Sequence, residues 1–193
     1  SAIIGGKLPL INANGICGNS DTLVCESCEY VDTFLKESPD ISVLLNIDRD
    51  HMEYFKTDER LIDSFRRFIS SSTKCVVVNG DYERSMIATE GIDVEIITVG
   101  ENDGNDWRAV NVAMSKGGFY EFDLLKGETL VTHISLGCPG RHNVINSAMA
   151  AVAAILSGAT GEDVKYGLSR FGGACRRFEI LGKPNGIVIA DDY

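Results

Sequence analysis

Basic residues are the scarce class in this sequence. Lysine and arginine together number 18 against 28 aspartates and glutamates, for a formal net charge of −10. A nucleic-acid groove needs a basic stripe, and none is visible, so nucleic acid is not expected as a partner. Small anionic ligands stay compatible, but they must be met locally by backbone N–H groups, arginine or a metal. No apolar run reaches the roughly 18 residues of a membrane span, and no stretch reads as a secretory leader. The six cysteines (17, 25, 28, 75, 138 and 175) are scattered. Cys25-Glu-Ser-Cys28 is a lone CxxC without a second pair, which argues against a zinc or redox site and for reduced thiols. A cytoplasmic protein with no membrane contact is the expectation. Nothing repeats internally and no segment is of low complexity. The chain opens on Ser1 and stops at Tyr193 inside a motif-like Asp-Asp-Tyr, so we expect a piece of a longer protein.

What is present reads as alternating strands and helices. Thr22–Cys25 and Val43–Leu45 have the pattern of short buried strands, and Gly5–Gly18 that of an irregular Gly/Asn-rich loop. Apolar residues at 61, 62, 65, 68 and 69 predict a helix over Asp58–Ser70. A buried strand over Lys74–Val78, a short helix over Tyr82–Thr89 and a strand over Val94–Val99 follow. This rhythm predicts a doubly wound, mostly parallel sheet in a three-layer α/β/α arrangement. From Trp107 to Leu136 the pattern changes to runs at 109–114, 118–124 and 129–136, an antiparallel meander. A helix beginning at Thr160 carries acidic residues in its first turn.

Two places carry chemistry. Glu26 ends one strand-like segment and His51 follows another, through Asn46-Ile47-Asp48-Arg49-Asp50-His51. Ligands of open α/β sheets bind outside the carboxyl ends of strands. Hard oxygen donors plus one imidazole there suit Mg²⁺ or Mn²⁺, with Glu29 as a further candidate. Solvated loop glutamates and a structural histidine would read the same way. The second place is Gly137-Cys-Pro-Gly-Arg-His-Asn-Val-Ile-Asn146, which runs into a helix of small and apolar residues. His142 and Asn146 are one turn apart on one face, with Asn143 beside them. Free backbone N–H groups and flat imidazole or amide side chains suit a planar ligand such as a nucleobase. On spacing alone the asparagines serve equally as helix caps.

The series GRHNxxNxxxAA, then FGGxxRRFExxG, then DDY resembles the Mur ligase family of ATP-dependent, amide-bond-forming enzymes of peptidoglycan synthesis. The similarity is continuous from about Ile4 to Tyr193. The RRFE and DDY pieces and the DRDH segment most resemble the branch that joins L-alanine to UDP-N-acetylmuramate. The resemblance implies that residues 1–172 are a central ATP-binding domain lacking its phosphate loop. Residues 173–193 would then be the hinge and first strands of a truncated C-terminal domain. ATP and Mg²⁺ (or Mn²⁺) are the implied cofactors, with UDP-N-acetylmuramate and L-alanine as substrates. It implies metal ligation by Glu26 and His51, and contact with the γ-phosphate by Arg177. Adenine would meet His142, Asn143 and Asn146, and ribose would meet Asp192. Without the resemblance, Arg176-Arg177 reads as an ordinary solvated pair. Asn14 stands near a substrate-contacting segment of the family, though Asn12-Ala13-Asn14 replaces the usual GGN and Ile16 a frequent basic residue. A helix position that carries a modified lysine in some members falls near Phe65, as in the L-alanine-adding branch, which also lacks it. No GxxGKT/S phosphate loop occurs in the chain, so the piece alone is expected to be inactive. A ligase adding a recycled tripeptide to the same sugar nucleotide, or a non-catalytic nucleotide-binding module, are the alternatives.

Overall fold

In the computed structural model, which describes residues 1–192, a six-stranded sheet forms the body of the protein. Its strands are β4 (Ile41–Leu44), β5 (Cys75–Asn79), β6 (Glu95–Gly100), β7 (Trp107–Met114), β8 (Phe119–Lys126) and β9 (Thr129–Pro139), side by side in that order. The pairs from β4 to β7 are parallel, and β7–β8 and β8–β9 are antiparallel, the expected meander. At the amino end, β1 (Ala2–Leu8) pairs with β2 (Ala13–Ile16) and β3 (Val24–Cys25) in a separate small sheet. At the other end, β10 (Glu179–Gly182) and β11 (Ile189–Asp191) make a two-stranded ribbon.

The central strand β5 shows why the sheet is covered on both sides. Its four residues Cys75 to Val78 are all buried, and successive side chains point to opposite faces. Val76 and Val78 join a core with Phe34, Leu44, Ile47, Phe55, Leu61, Phe68 and Ile69. That face is closed by α1 (Met52–Phe55), α2 (Asp58–Ser70) and α3 (Glu83–Thr89). Val77 belongs to the opposite core, with Trp107, Phe122, Leu124, Ile134, Ala148, Met149 and Val152. There α4 (His142–Leu156) lies across the sheet, with α5 (Gly161–Arg170) beside it. The layered α/β reading holds. Two boundaries come from caps: Thr57 accepts from the Arg60 amide at 3.3 Å to start α2, and Thr160 with Asp163 forms a reciprocal capping box on α5.

The amino-terminal region departs from expectation. The Gly/Asn-rich stretch forms a hairpin rather than an irregular loop, turning at Asn12 with φ of 51°. Asparagine tolerates this left-handed conformation better than most residues do. Val24 and Cys25 do form a strand, but an exposed one, because β3 pairs only with β1. A 3₁₀ segment over Tyr30–Lys36, kinked at Val31 and Asp32 and burying Phe34, has no periodic signature in sequence.

Candidate nucleotide and metal site

Because β4 to β7 are parallel, their carboxyl ends share one edge of the sheet, and the segments that leave them meet there. After β4 comes the Asn46–His51 segment. It is pinned from three sides: Tyr82 donates to Asp48 at 2.6 Å, Arg84 donates to the Ile47 carbonyl at 3.4 Å, and Arg49 pairs with Asp58 at 3.1 Å. The bond to Asp48 pushes the Tyr82 phenol above its usual range, with burial adding to it.

His51 ends this segment in a left-handed conformation, φ 53°, just before α1. The Tyr30 ring packs on its imidazole, centroids 4.6 Å apart. Nε2 lies 3.7 Å from Glu29 Oε1, while Nδ1 lies 3.5 Å from Glu53 Oε1 and 3.9 Å from Asp50 Oδ1. Glu29, Asp50 and His51 can each offer one ligand atom with all three atoms within 4.8 Å of one another. Two carboxylates and an imidazole fit a hard divalent cation. Glu26 is exposed, and its carboxylate accepts from the Gly5 amide at 2.6 Å. The carboxylates gathered around His51 are thus Glu29, Asp50 and Glu53. Asp50 carried a signal in sequence only as the immediate neighbour of His51.

The second cluster sits where β9 turns into α4. Gly140 makes that turn with φ of 107°, and a Cβ there would meet His142 Cε1 at 2.7 Å. Only glycine accommodates both constraints. Asn143 turns back to donate to the Pro139 carbonyl at 2.6 Å, which ties the helix start to the end of β9 without capping a helix N–H group. His142 is exposed and Asn146 is half-buried one turn further on, while the Asn143 and Val144 amides donate to the Gly140 and Arg141 carbonyls, each at 3.1 Å.

Beyond α5 the chain returns past β1 and the end of β9. The Cys175 amide donates to the Lys7 carbonyl at 3.0 Å, which ties the 172–177 segment to β1. Cys138, at the end of β9, is buried, and burial pushes its thiol up. Arg177 is exposed, and its backbone amide donates to the Ala174 carbonyl at 3.2 Å. Asp192 is also exposed and accepts from the Phe178 amide at 3.1 Å, closing the ribbon. Asn14 lies exposed on β2. Tyr193, the last residue of the DDY piece, lies outside the described residues.

Fold and edge together define a layered α/β domain with an imidazole–carboxylate cluster and a helix N-terminus of planar polar side chains. The chain belongs to the Mur ligase family: the Mur ligase middle domain matches residues 8–154. It is similar to UDP-N-acetylmuramate–L-alanine ligase of Clostridium acetobutylicum, 36% identical over 193 residues, 99% of this chain and 42% of that protein. The chain therefore spans under half the length of that curated relative. Among solved structures, UDP-N-acetylmuramate–alanine ligase of Thermotoga maritima superposes with a TM-score of 0.83 at 24% identity, over 99% of this chain and 43% of its own. MurF ligase of Thermotoga maritima, solved in complex with ADP, shares the fold with a TM-score of 0.66 at 20% identity, over 92% of this chain and 42% of its own.

Proposed function

We propose that this chain is the nucleotide- and metal-binding part of an ATP-dependent ligase that joins L-alanine to UDP-N-acetylmuramate in the cytoplasm. One observation carries the reading. The same sheet edge holds both the His51 cluster and the amino end of α4, the two groups of donors that a metal-bound nucleotide requires. The names of the relatives supply the substrates, and the ADP complex of a fold relative supports a nucleotide on this scaffold. No helix among the described residues is long and apolar enough to cross a membrane.

In this reading, ATP phosphorylates the carboxylate of UDP-N-acetylmuramate to give an acyl phosphate and ADP. The amine of L-alanine attacks the acyl carbon, the tetrahedral intermediate collapses, and inorganic phosphate leaves as the amide forms. His142, Asn143 and Asn146 hold the adenine, and Asp192 holds the ribose. Arg177 neutralises charge on the transferring phosphoryl group. His51, with Glu26 and the adjacent Glu29 and Asp50, would hold Mg²⁺ or Mn²⁺, which offsets phosphate and carboxylate charge. Asn14 contributes to the sugar-nucleotide side. The boundary between the central domain and the start of the C-terminal domain falls at 172/173, where Gly172-Gly173 serve as the hinge. Closure about it excludes water from the acyl phosphate.

The test is phosphate release by the full-length enzyme with ATP, Mg²⁺ and UDP-N-acetylmuramate, offering L-alanine or L-Ala-γ-D-Glu-meso-diaminopimelate separately. Release with L-alanine, reduced at least about 100-fold by His51→Ala or Glu26→Ala, is expected. Release only with the tripeptide would move the enzyme to the recycling reaction. Release with neither would leave a nucleotide-binding module.

A further inference from the structure

The arginine of the Gly-Arg-His-Asn stretch has no part in the mechanism above, yet it is the most tightly organised residue of that turn. Arg141 immediately precedes His142, and its guanidinium closes a two-pronged ion pair on Glu101. Nη1 donates to Oε1 at 2.9 Å and Nη2 donates to Oε2. On its other side the guanidinium lies over the Tyr120 ring of β8, 5.8 Å from the centroid.

Glu101 is held in turn. It follows β6, and its backbone amide donates to Asp81 Oδ2 at 2.6 Å, joined by the Asn102 amide at 3.3 Å. The Asn105 side chain donates to Asp81 Oδ1 at 2.8 Å and to the Asn102 carbonyl at 2.9 Å. Asp81 itself follows β5. Gly100 is part of the same arrangement, because a Cβ there would lie 2.5 Å from Asp81 Oδ1 and would overlap the Asn105 amide. The connection therefore runs from the end of β5 through the end of β6 to the first turn of α4, crossing 40 residues of sequence at the Glu101–Arg141 step.

Its stability value does not account for such an arrangement. Exposed ion pairs contribute little, and the Arg141 side chain is 49% exposed. What a bidentate pair on a fixed loop does supply is direction, since the planar guanidinium fork accepts one orientation of the carboxylate. The turn is also held by the Gly140 amide, which donates to the Gly118 carbonyl at 2.9 Å, and by Asn143 on the Pro139 carbonyl, but among the described residues only the ion pair ties it to the ends of β5 and β6.

We infer that Glu101 and Arg141 are positioning residues for the nucleotide: anchored through Asp81 and Asn105, they fix the first turn of α4 so that His142 and Asn143 meet the base. The inference rests on the nucleotide reading of α4 and adds two residues to it that contact no ligand.

The experiment uses the full-length enzyme, with steady-state kinetics in ATP and direct titration with ADP. Glu101→Ala, Glu101→Gln and Arg141→Ala are each expected to raise the ATP KM and the ADP Kd about tenfold. The value of kcat and the KM for the sugar nucleotide should stay within about twofold. Arg141→Lys, which keeps the charge and loses the fork, should fall between wild type and Arg141→Ala. The double variant Glu101→Ala/Arg141→Ala should be no worse than either single one, as for two members of one interaction. An Arg141→Ala defect without a Glu101→Ala defect would make Arg141 a direct ligand and overturn the inference. Loss of melting temperature with ATP KM unchanged would also overturn it, leaving a structural ion pair. His142→Ala separates the two levels. If it binds ADP like wild type, the nucleotide reading of α4 falls and this inference with it. If it loses ADP while the Glu101 and Arg141 variants keep it, this inference alone fails.

Discussion

Asp32 shows how a single carboxylate can be committed to structure. Its oxygens accept from the Tyr54 hydroxyl at 2.6 Å and from the Ser64 hydroxyl, joining the segment before β4 to α1 and α2. Burial, the largest single influence, would raise its pKa, but the two hydrogen bonds together with the Arg67 and Arg60 charges outweigh it and hold the carboxyl below the usual aspartate range. The same bond pushes the Tyr54 phenol up. The folded state thus binds the Asp32 proton more weakly than the unfolded chain does. Its contribution is complete above the ordinary aspartate value of about 3.9 and is lost as pH falls through the depressed folded value. Unfolding followed by fluorescence of the buried Trp107 should show stability falling below about pH 4, and Asp32→Asn should flatten that acid limb. An unchanged acid limb in Asp32→Asn would show that other carboxylates control it. At this scale the sequence was partly legible. His142, Asn143 and Asn146 are neighbours on one helix turn, so spacing alone groups them. Glu26 and Glu29 sit three residues apart on one segment, and spacing cannot tell which one faces His51. In the fold Glu29 lies 3.7 Å from His51 while Glu26 accepts from the Gly5 amide, and the positive φ values of Val31 and Asp32 that follow have no periodic signature.

Among the elements, α4 shows how composition answers to packing. It crosses the sheet face, and Ala148, Met149, Ala151 and Val152 are buried against strands on both sides of the sheet centre. Small residues let the helix approach the sheet closely, so added volume has nowhere to go. Ala148→Leu should destabilise by about 1–3 kcal/mol through overpacking. Ala150→Leu, on the exposed side of the same helix, should stay within about 0.5 kcal/mol. Denaturant midpoints measured in parallel check both, and equal effects would mean that the helix face is assigned wrongly. The helices α2, α4 and α5 were legible because each carries a periodic apolar face and two of them carry explicit caps. The hairpin of β1 and β2 was not, because glycine and asparagine signal turns locally. What makes that stretch a strand is pairing with β3, which lies beyond the turn.

For the whole molecule, the carboxyl edge is where the proposed site lies, and a triphosphate would need more than it offers. Polar side chains at the start of α4 and the His51 cluster are present, but the sequence has no GxxGKT/S cradle. The chain alone, given ATP, Mg²⁺, UDP-N-acetylmuramate and L-alanine, should release no phosphate above background, whereas the full-length enzyme should turn over. Detectable turnover by the chain alone would overturn this. Local information in the sequence determined the order and type of most elements, the layered α/β class, and the two segments proposed to carry chemistry. It did so because periodicity, caps and short motifs act over a few residues. Only the tertiary structure decided which strand ends share an edge, that Glu29 and Asp50 join His51, and that Glu101 grips Arg141. Those contacts join residues tens of positions apart, and their geometry follows from parallel strand register and helix placement rather than from any local pattern.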